Sequence, residues 1–148
     1  RAKHLGAYVI GTSSAENKNF VLELGADEHI DYKKQPFEEL CPMVDMVLDT
    51  IGGENIDRSL KTLKKGGTIV ALPSGLSEPV TDKAKAQGKT GLFFLAQSNS
   101  KDMHQISDLL RQGSVRSHVT KEFAFAEMRA AHDMVESGRT TGKVVVRV

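Results

Sequence analysis

The sequence lacks the features that mark several common classes of protein. Cys41 is the only cysteine in 148 residues, so no internal disulfide can form, and a reducing compartment is favoured. The net charge of +1 indicates no strongly basic or acidic surface. No apolar run reaches the roughly 18 residues that a membrane-spanning helix needs, and residues 1–5 show no hydrophobic leader. We therefore expect a cytoplasmic protein with neither a nucleic-acid nor a membrane partner.

The sequence also lacks the short motifs that identify many active sites. The five histidines, His4, His29, His104, His118 and His132, do not have metal-ligand spacing, and there is no cysteine cluster. There is no Gly-x-Ser-x-Gly elbow, no Walker loop, and no Gly-x-Gly-x-x-Gly following a strand. We predict no metal site in this chain and assign no catalytic acid, base or nucleophile to it.

Strand-like and helix-like segments alternate along the chain. The predicted strands are 7–11, 29–32, 44–49, 68–72, 91–95 and 143–148. Helices are predicted from Ser13 to Gly25, over 36–40, from Ile56 through Leu63 to Gly66, from Ser100 to Gly113 and over 127–136. Residues 76–90 are predicted to be a loop with some helix. This alternation predicts an α/β fold with a doubly wound, mostly parallel sheet.

Ligands of such sheets bind beyond the carboxyl ends of the strands. The first strand is followed by Ser13 and Ser14, with Lys18 one turn further on. An acid at this position favours NAD, whereas hydroxyl donors and a lysine suit the 2′-phosphate of NADP. The alternative is that the serines only cap the helix, Ser13 forming a capping box with Glu16, and that Lys18 is merely solvated. The spacing leaves both interpretations open.

Other strand ends carry weaker candidates. Tyr32 follows the second strand and could lie against an adenine ring, or be an ordinary surface tyrosine. Asp49 ends a buried strand before two glycines, where turn bonding or helix capping is favoured over a functional carboxylate. Ser74 follows the fourth strand between Pro73 and Gly75, where the same ambiguity holds.

Six segments together resemble the medium-chain dehydrogenase/reductase superfamily, in its quinone-oxidoreductase-like and alcohol-dehydrogenase-like branch. The segments are Ala2–Thr12, Leu24–Tyr32, Val44–Gly53, Lys65–Val70, Ala131–His132 and Gly138–Val145. Their order and spacing hold across nearly the whole chain. The resemblance implies that residues 1–148 are a partial NAD(P)-binding Rossmann domain, without its first strand, its glycine-rich loop and the catalytic domain.

The resemblance also implies roles for individual residues. Ser14 and Lys18 match the family's 2′-phosphate contacts, and Tyr32 matches its adenine-side tyrosine. Arg139 matches an arginine that supports NADPH binding in some members. Ser74 and Asn99 fall where family loops approach the nicotinamide half. With Ser13, these form the predicted cofactor-binding set, and NADP is the predicted cofactor. That branch typically lacks the catalytic zinc, so no zinc is expected in this fragment.

These expectations describe a domain of an NADPH-dependent oxidoreductase that transfers hydride to a quinone, an enone or another carbonyl compound. The small-molecule substrate belongs to the full-length parent, and the fragment itself is expected to be inactive. A methyltransferase that uses S-adenosylmethionine and a non-catalytic nucleotide-sensing module are the alternatives. The absent strand would leave unpaired edges at the strands containing Tyr8 and Val47. The family resemblance also implies a possible homodimer in which the edge strand 91–95 pairs with its copy.

Overall fold

The computed structural model describes residues 2–77 and 79–148. Arg1 and Glu78, which the predictions for residues 1–5 and 76–90 include, lie outside that part. The chain forms two compact units, residues 2–97 and residues 98–148. No helix of the described residues is long and apolar enough to cross a membrane.

The first unit alternates strands and helices. Its strands are β1 (Ile10–Ser13), β2 (Glu28–Asp31), β3 (Val44–Asp49), β4 (Leu63–Ala71) and β5 (Thr90–Phe93), and its helices are α1 (Lys18–Glu23), α2 (Phe37–Leu40), α3 (Glu54–Lys61) and α4 (Val80–Lys85). β1 pairs with β2, and β3, β4 and β5 form a second sheet in that order, with every pair parallel. Parallel strands joined by helices confirm the predicted α/β class.

The described strands of the first unit leave two sheet edges unpaired, although Tyr8, which was predicted to lie in a strand, precedes β1. Within residues 2–77 and 79–97, β1 pairs only with β2, and the outer edge of β3 pairs with no strand. No strand of the described chain lies hydrogen-bonded between β1 and β3. This arrangement is the one expected of a doubly wound sheet whose central strand is not among these residues.

The core of the first unit lies between β4 and the helices on either side of it in sequence. Seven buried residues form it: Ile56, Leu60, Leu63, Ile69, Ala71, Val80 and Ala84. Gly91 of β5 allows close packing, because a Cβ there would lie 2.8 Å from the Ala84 Cβ and closer still to the Val80 carbonyl. The helices therefore bury one face of β4, whereas Thr68 and Val70 on its other face are half-buried.

The second unit contains α5 (Ser100–Arg111), β6 (Val119–Ala124), α6 (Met128–Glu136) and β7 (Lys143–Arg147). β6 and β7 pair in parallel. Asn99 caps the amino end of α5, and its Oδ1 accepts the Asp102 backbone N–H at 2.8 Å. Strand β6 was not predicted, because Phe123 is the only buried residue in it and its sequence shows little alternation.

Candidate functional site

The carboxyl ends of β1 and β2 bring most of the predicted cofactor residues to one edge. In the parallel register Ser13 lies opposite Asp31, so Ser14 and Tyr32 leave their strands side by side. Ser13 and Ser14 are half-buried, and Tyr32 is exposed. Lys18 begins α1 and is also exposed. The strand pairing thus brings Ser13, Ser14 and Tyr32 to the same sheet edge.

The capping box predicted for Ser13 and Glu16 is wrong. The residue that precedes the first helical turn, Ala15–Asn17, is Ser14, and it makes no side-chain capping bond. Ser13 is instead the last residue of β1. Its Oγ lies 2.7 Å from Nε2 of His29 and donates to the Ser14 carbonyl at 3.1 Å. The Ser14 Oγ accepts from Nδ2 of Asn17 at 3.4 Å. Neither hydroxyl caps the helix that follows.

This edge carries more positive charge than the sequence analysis noted. Lys33 and Lys34 directly follow Tyr32 in the turn after β2, and both are exposed. In the described part of the chain neither forms an ion pair, nor does Lys18. The Asp31 carboxylate lies at the same edge, where its Oδ1 accepts the Lys33 backbone N–H at 3.1 Å. Three ammonium groups therefore accompany two carboxylates, Asp31, which is held in its own turn, and the exposed Glu16 between Ser14 and Lys18.

Asp49 is structural, as predicted. Its side chain is buried, with Oδ1 accepting the Ile51 and Gly52 backbone N–H groups at 2.8 Å each. Its Oδ2 accepts from Nδ2 of Asn55 at 3.1 Å and from Oγ of Ser59 at 3.3 Å. The carboxylate thus fixes the turn from β3 into α3 and presents no free oxygen for chemistry.

The remaining predicted residues lie elsewhere. Ser74 is exposed in the loop after β4. Asn99 and Arg139 belong to the second unit. The Asn99 side chain caps α5, and its Nδ2 also contacts the Asp102 carboxylate. Arg139 is exposed after α6, and its backbone N–H donates to the Ser137 Oγ at 3.3 Å.

A match to a family model over most of the chain shows which family the chain belongs to. A family model described as zinc-binding dehydrogenase matches residues 24–146. The chain belongs to the zinc-binding dehydrogenase family. This confirms the resemblance to dehydrogenases and reductases on which the sequence interpretation depended.

Several relatives of this chain have names that describe their activity. It is 33% identical to the 2-methylene-furan-3-one reductase of Solanum lycopersicum, over 98% of the chain and 35% of that protein. It is also 33% identical to the chloroplastic NADPH-dependent alkenal/one oxidoreductase of Arabidopsis thaliana, with the same coverage. These names favour an oxidoreductase over the methyltransferase alternative.

The fold is shared with solved structures. The quinone oxidoreductase from Coxiella burnetii matches with a TM-score of 0.91 and 32% identity, over 99% of this chain and 47% of that one. A 2-haloacrylate reductase matches with a TM-score of 0.80 and 30% identity, over 97% of this chain and 50% of that one. The chain therefore spans from 35% to 50% of these relatives.

The family description names zinc. Such a centre takes three or four His, Cys or carboxylate ligands. Within residues 2–77 and 79–148 no group of three or more such side chains could hold a metal ion. The described residues do not fit a zinc centre, and none of them is given a role in one.

Proposed function

We propose that residues 1–148 are a partial NAD(P)-binding domain, and that they bind the adenosine end of NADPH in an oxidoreductase. The observation that carries the proposal lies at the end of β1. There, two hydroxyls that do not cap a helix and the Lys18 ammonium group occupy the position where a carboxylate would favour NAD. A 2′-phosphate needs donors and positive charge, and this edge offers both.

Each residue at this edge has a distinct part in the proposal. The Ser14 hydroxyl donates to the 2′-phosphate, and Lys18 neutralises its charge. Lys33 and Lys34 add long-range attraction, which falls off with salt because both are exposed. Tyr32 lies against the adenine ring, where an exposed aromatic face gives contact area. For Ser74, Asn99 and Arg139 the family resemblance alone supports a role in NADPH binding.

The proposed substrate is a quinone, an enone or another activated carbonyl compound. NADPH, when bound, supplies the hydride, and the protein supplies binding and orientation. Relatives named as alkenal/one, furanone and haloacrylate reductases support a conjugated, electron-poor substrate. None of the described residues is assigned as a proton donor. We also propose a cytoplasmic location. A homodimer paired along the outer edge of β5 is a further part of the proposal, and light scattering tests it.

Binding of the adenosine end alone tests the phosphate site. We expect the protein to bind NADPH more tightly than NADH, and adenosine 2′,5′-bisphosphate more tightly than ADP. Lys18→Ala and Ser14→Ala should each weaken NADPH binding by roughly 5- to 20-fold, as expected for loss of a charge-assisted hydrogen bond. NADH binding should stay unchanged, because NADH has no 2′-phosphate. Fluorescence titration of the reduced cofactors measures both.

Lys85→Ala is the matched control for this experiment. Lys85 is an exposed lysine that ends α4 before β5 begins, near the amino ends of the strands and away from the proposed site. Its loss should leave both dissociation constants unchanged. Equal affinity for NADPH and NADH in the unsubstituted protein, or equal losses for Lys18→Ala and Lys85→Ala, would contradict the proposed 2′-phosphate site.

A further inference from the structure

His29 contacts the proposed phosphate site from the neighbouring strand. In the parallel register His29 lies opposite Gly11, two residues before Ser13 on β1. The imidazole reaches diagonally to Ser13, and Nε2 lies 2.7 Å from Oγ. His29 is half-buried, as is Ser13. The sequence analysis gave His29 no role beyond its lack of metal-ligand spacing.

The Ser13 hydroxyl has two contacts, and they favour one tautomer of the His29 ring. A serine hydroxyl has one proton to donate, and a carbonyl oxygen can only accept. The Ser13 Oγ donates to the Ser14 carbonyl at 3.1 Å. Both contacts are satisfied together in the His29 tautomer whose Nε2 carries hydrogen and donates to Oγ. In that tautomer His29 holds the Ser13 oxygen through a bond that does not use the hydroxyl proton.

We infer that His29 is a positioning residue that sets the preference for NADPH, an inference that depends on the function proposed above. When a 2′-phosphate binds, the Ser13 hydroxyl turns its proton from the Ser14 carbonyl to a phosphate oxygen. Nε2–H of His29 keeps the Ser13 oxygen in place during this change. No proton is transferred, and no bond other than hydrogen bonds forms or breaks. Ser13 thereby becomes the second hydroxyl donor of the site.

Substitutions that keep or remove the donor test this inference. His29→Leu removes Nε2–H and should weaken NADPH binding about fivefold, the effect of one net hydrogen bond, with NADH binding unchanged. His29→Gln keeps an N–H donor at a similar reach and should restore the affinity for NADPH to within about twofold of the unsubstituted protein. Ser13→Ala should match His29→Leu. The double variant should lose no more than either single variant, because the two side chains act as one unit.

The NADH affinity distinguishes positioning from a general structural defect. If His29→Leu weakens NADH and NADPH binding equally, His29 only supports the strands, and the inference is overturned. If the unsubstituted protein prefers NADPH and His29→Leu keeps that preference, the inference fails and the proposed function stands. If the unsubstituted protein shows no preference for NADPH, the proposed function fails, and the role of His29 fails with it.

Discussion

Single buried polar residues determine how this chain turns between its elements. Asp49 is the last residue of β3. Its carboxylate accepts four hydrogen bonds from donors in the turn and in α3, which would otherwise lack a partner. A buried carboxylate in such a position is informative because its removal leaves several donors without a partner. Asp45, on the same strand, bonds only Lys64 at the surface, so its side chain has little effect on folding.

Asp49→Ala should lower the free energy of unfolding by about 2–3 kcal/mol, since the buried donors lose their acceptor. Asp45→Ala, a matched change on the same strand, should cost less than about 1 kcal/mol, because its ion pair with Lys64 is exposed. Urea unfolding followed by circular dichroism measures both. Equal losses for the two variants would show that the hydrogen bonds of Asp49 do not stabilise the turn.

The proposed cofactor-binding residues show which parts of the candidate site can be predicted from the sequence and which cannot. Ser14, Lys18 and Tyr32 could be named in advance because strand ends and a family pattern mark them. The contact between Ser13 and His29 could not, since it depends on the register of β1 against β2. Lys33 and Lys34 were visible as a doublet, but only the end of β2 places them at the same edge.

Elements are joined by ion pairs as well as by the core. Arg58 of α3 bonds Glu38 of α2 through three contacts of 2.8–3.0 Å, and its guanidinium lies 4.5 Å from the centre of the Phe37 ring. The Arg58 guanidinium lowers the pKa of the Glu38 carboxyl below its ordinary value. Lys3 likewise lowers the pKa of Asp27, which also accepts the Val9 backbone N–H at 2.7 Å.

Because the pKa of the Glu38 carboxyl is lowered in the folded state, the free energy of unfolding should decrease as the pH falls. The contribution of the pair between Glu38 and Arg58 is present above the ordinary carboxyl pKa and is lost as the pH falls through the lower folded-state pKa. Glu38→Gln should therefore cost roughly 1 kcal/mol at about pH 6 and less at about pH 3, which lies below the ordinary carboxyl pKa. Glu39→Gln, its exposed neighbour on α2, should change neither value. Unfolding in urea at both pH values is the measurement, and a constant loss for Glu38→Gln would argue against the ion pair.

Whole elements were predicted best where apolar patterning and breakers agreed. The bounds of β3 match the prediction because Pro42 precedes its apolar run and two glycines follow it. Leu63 was placed on a helix because its spacing from Ile56 and Leu60 is helical, whereas it is the first residue of β4. All three side chains are buried in one core, so hydrophobic spacing cannot tell the last helical turn from the next strand. The predicted helix in 76–90 corresponds to α4.

For the molecule as a whole, the proposed function is that of the nucleotide-binding part of a reductase, and no described residue is assigned as a proton donor. The chain covers 35% of two named reductases and 47% of a quinone oxidoreductase structure. We therefore expect the 148-residue chain alone to show no oxidation of NADPH in the presence of a quinone or an enone. Loss of absorbance at the NADPH wavelength measures this, with a complete quinone oxidoreductase as the positive control. Turnover by the purified chain would contradict the proposal that these residues bind the cofactor without completing the reaction.

Parallel pairing has a consequence for the way the chain acquires its structure. Every described ladder joins strands that are separated in sequence by a helix, so none of them can form as a local hairpin. Contacts between distant residues slow folding, because the intervening loop must close before any ladder bond forms. During synthesis β3 leaves the ribosome before β4, which is its only partner among the described strands. A nascent chain at that stage presents an unpaired strand edge, and chaperone binding is expected there.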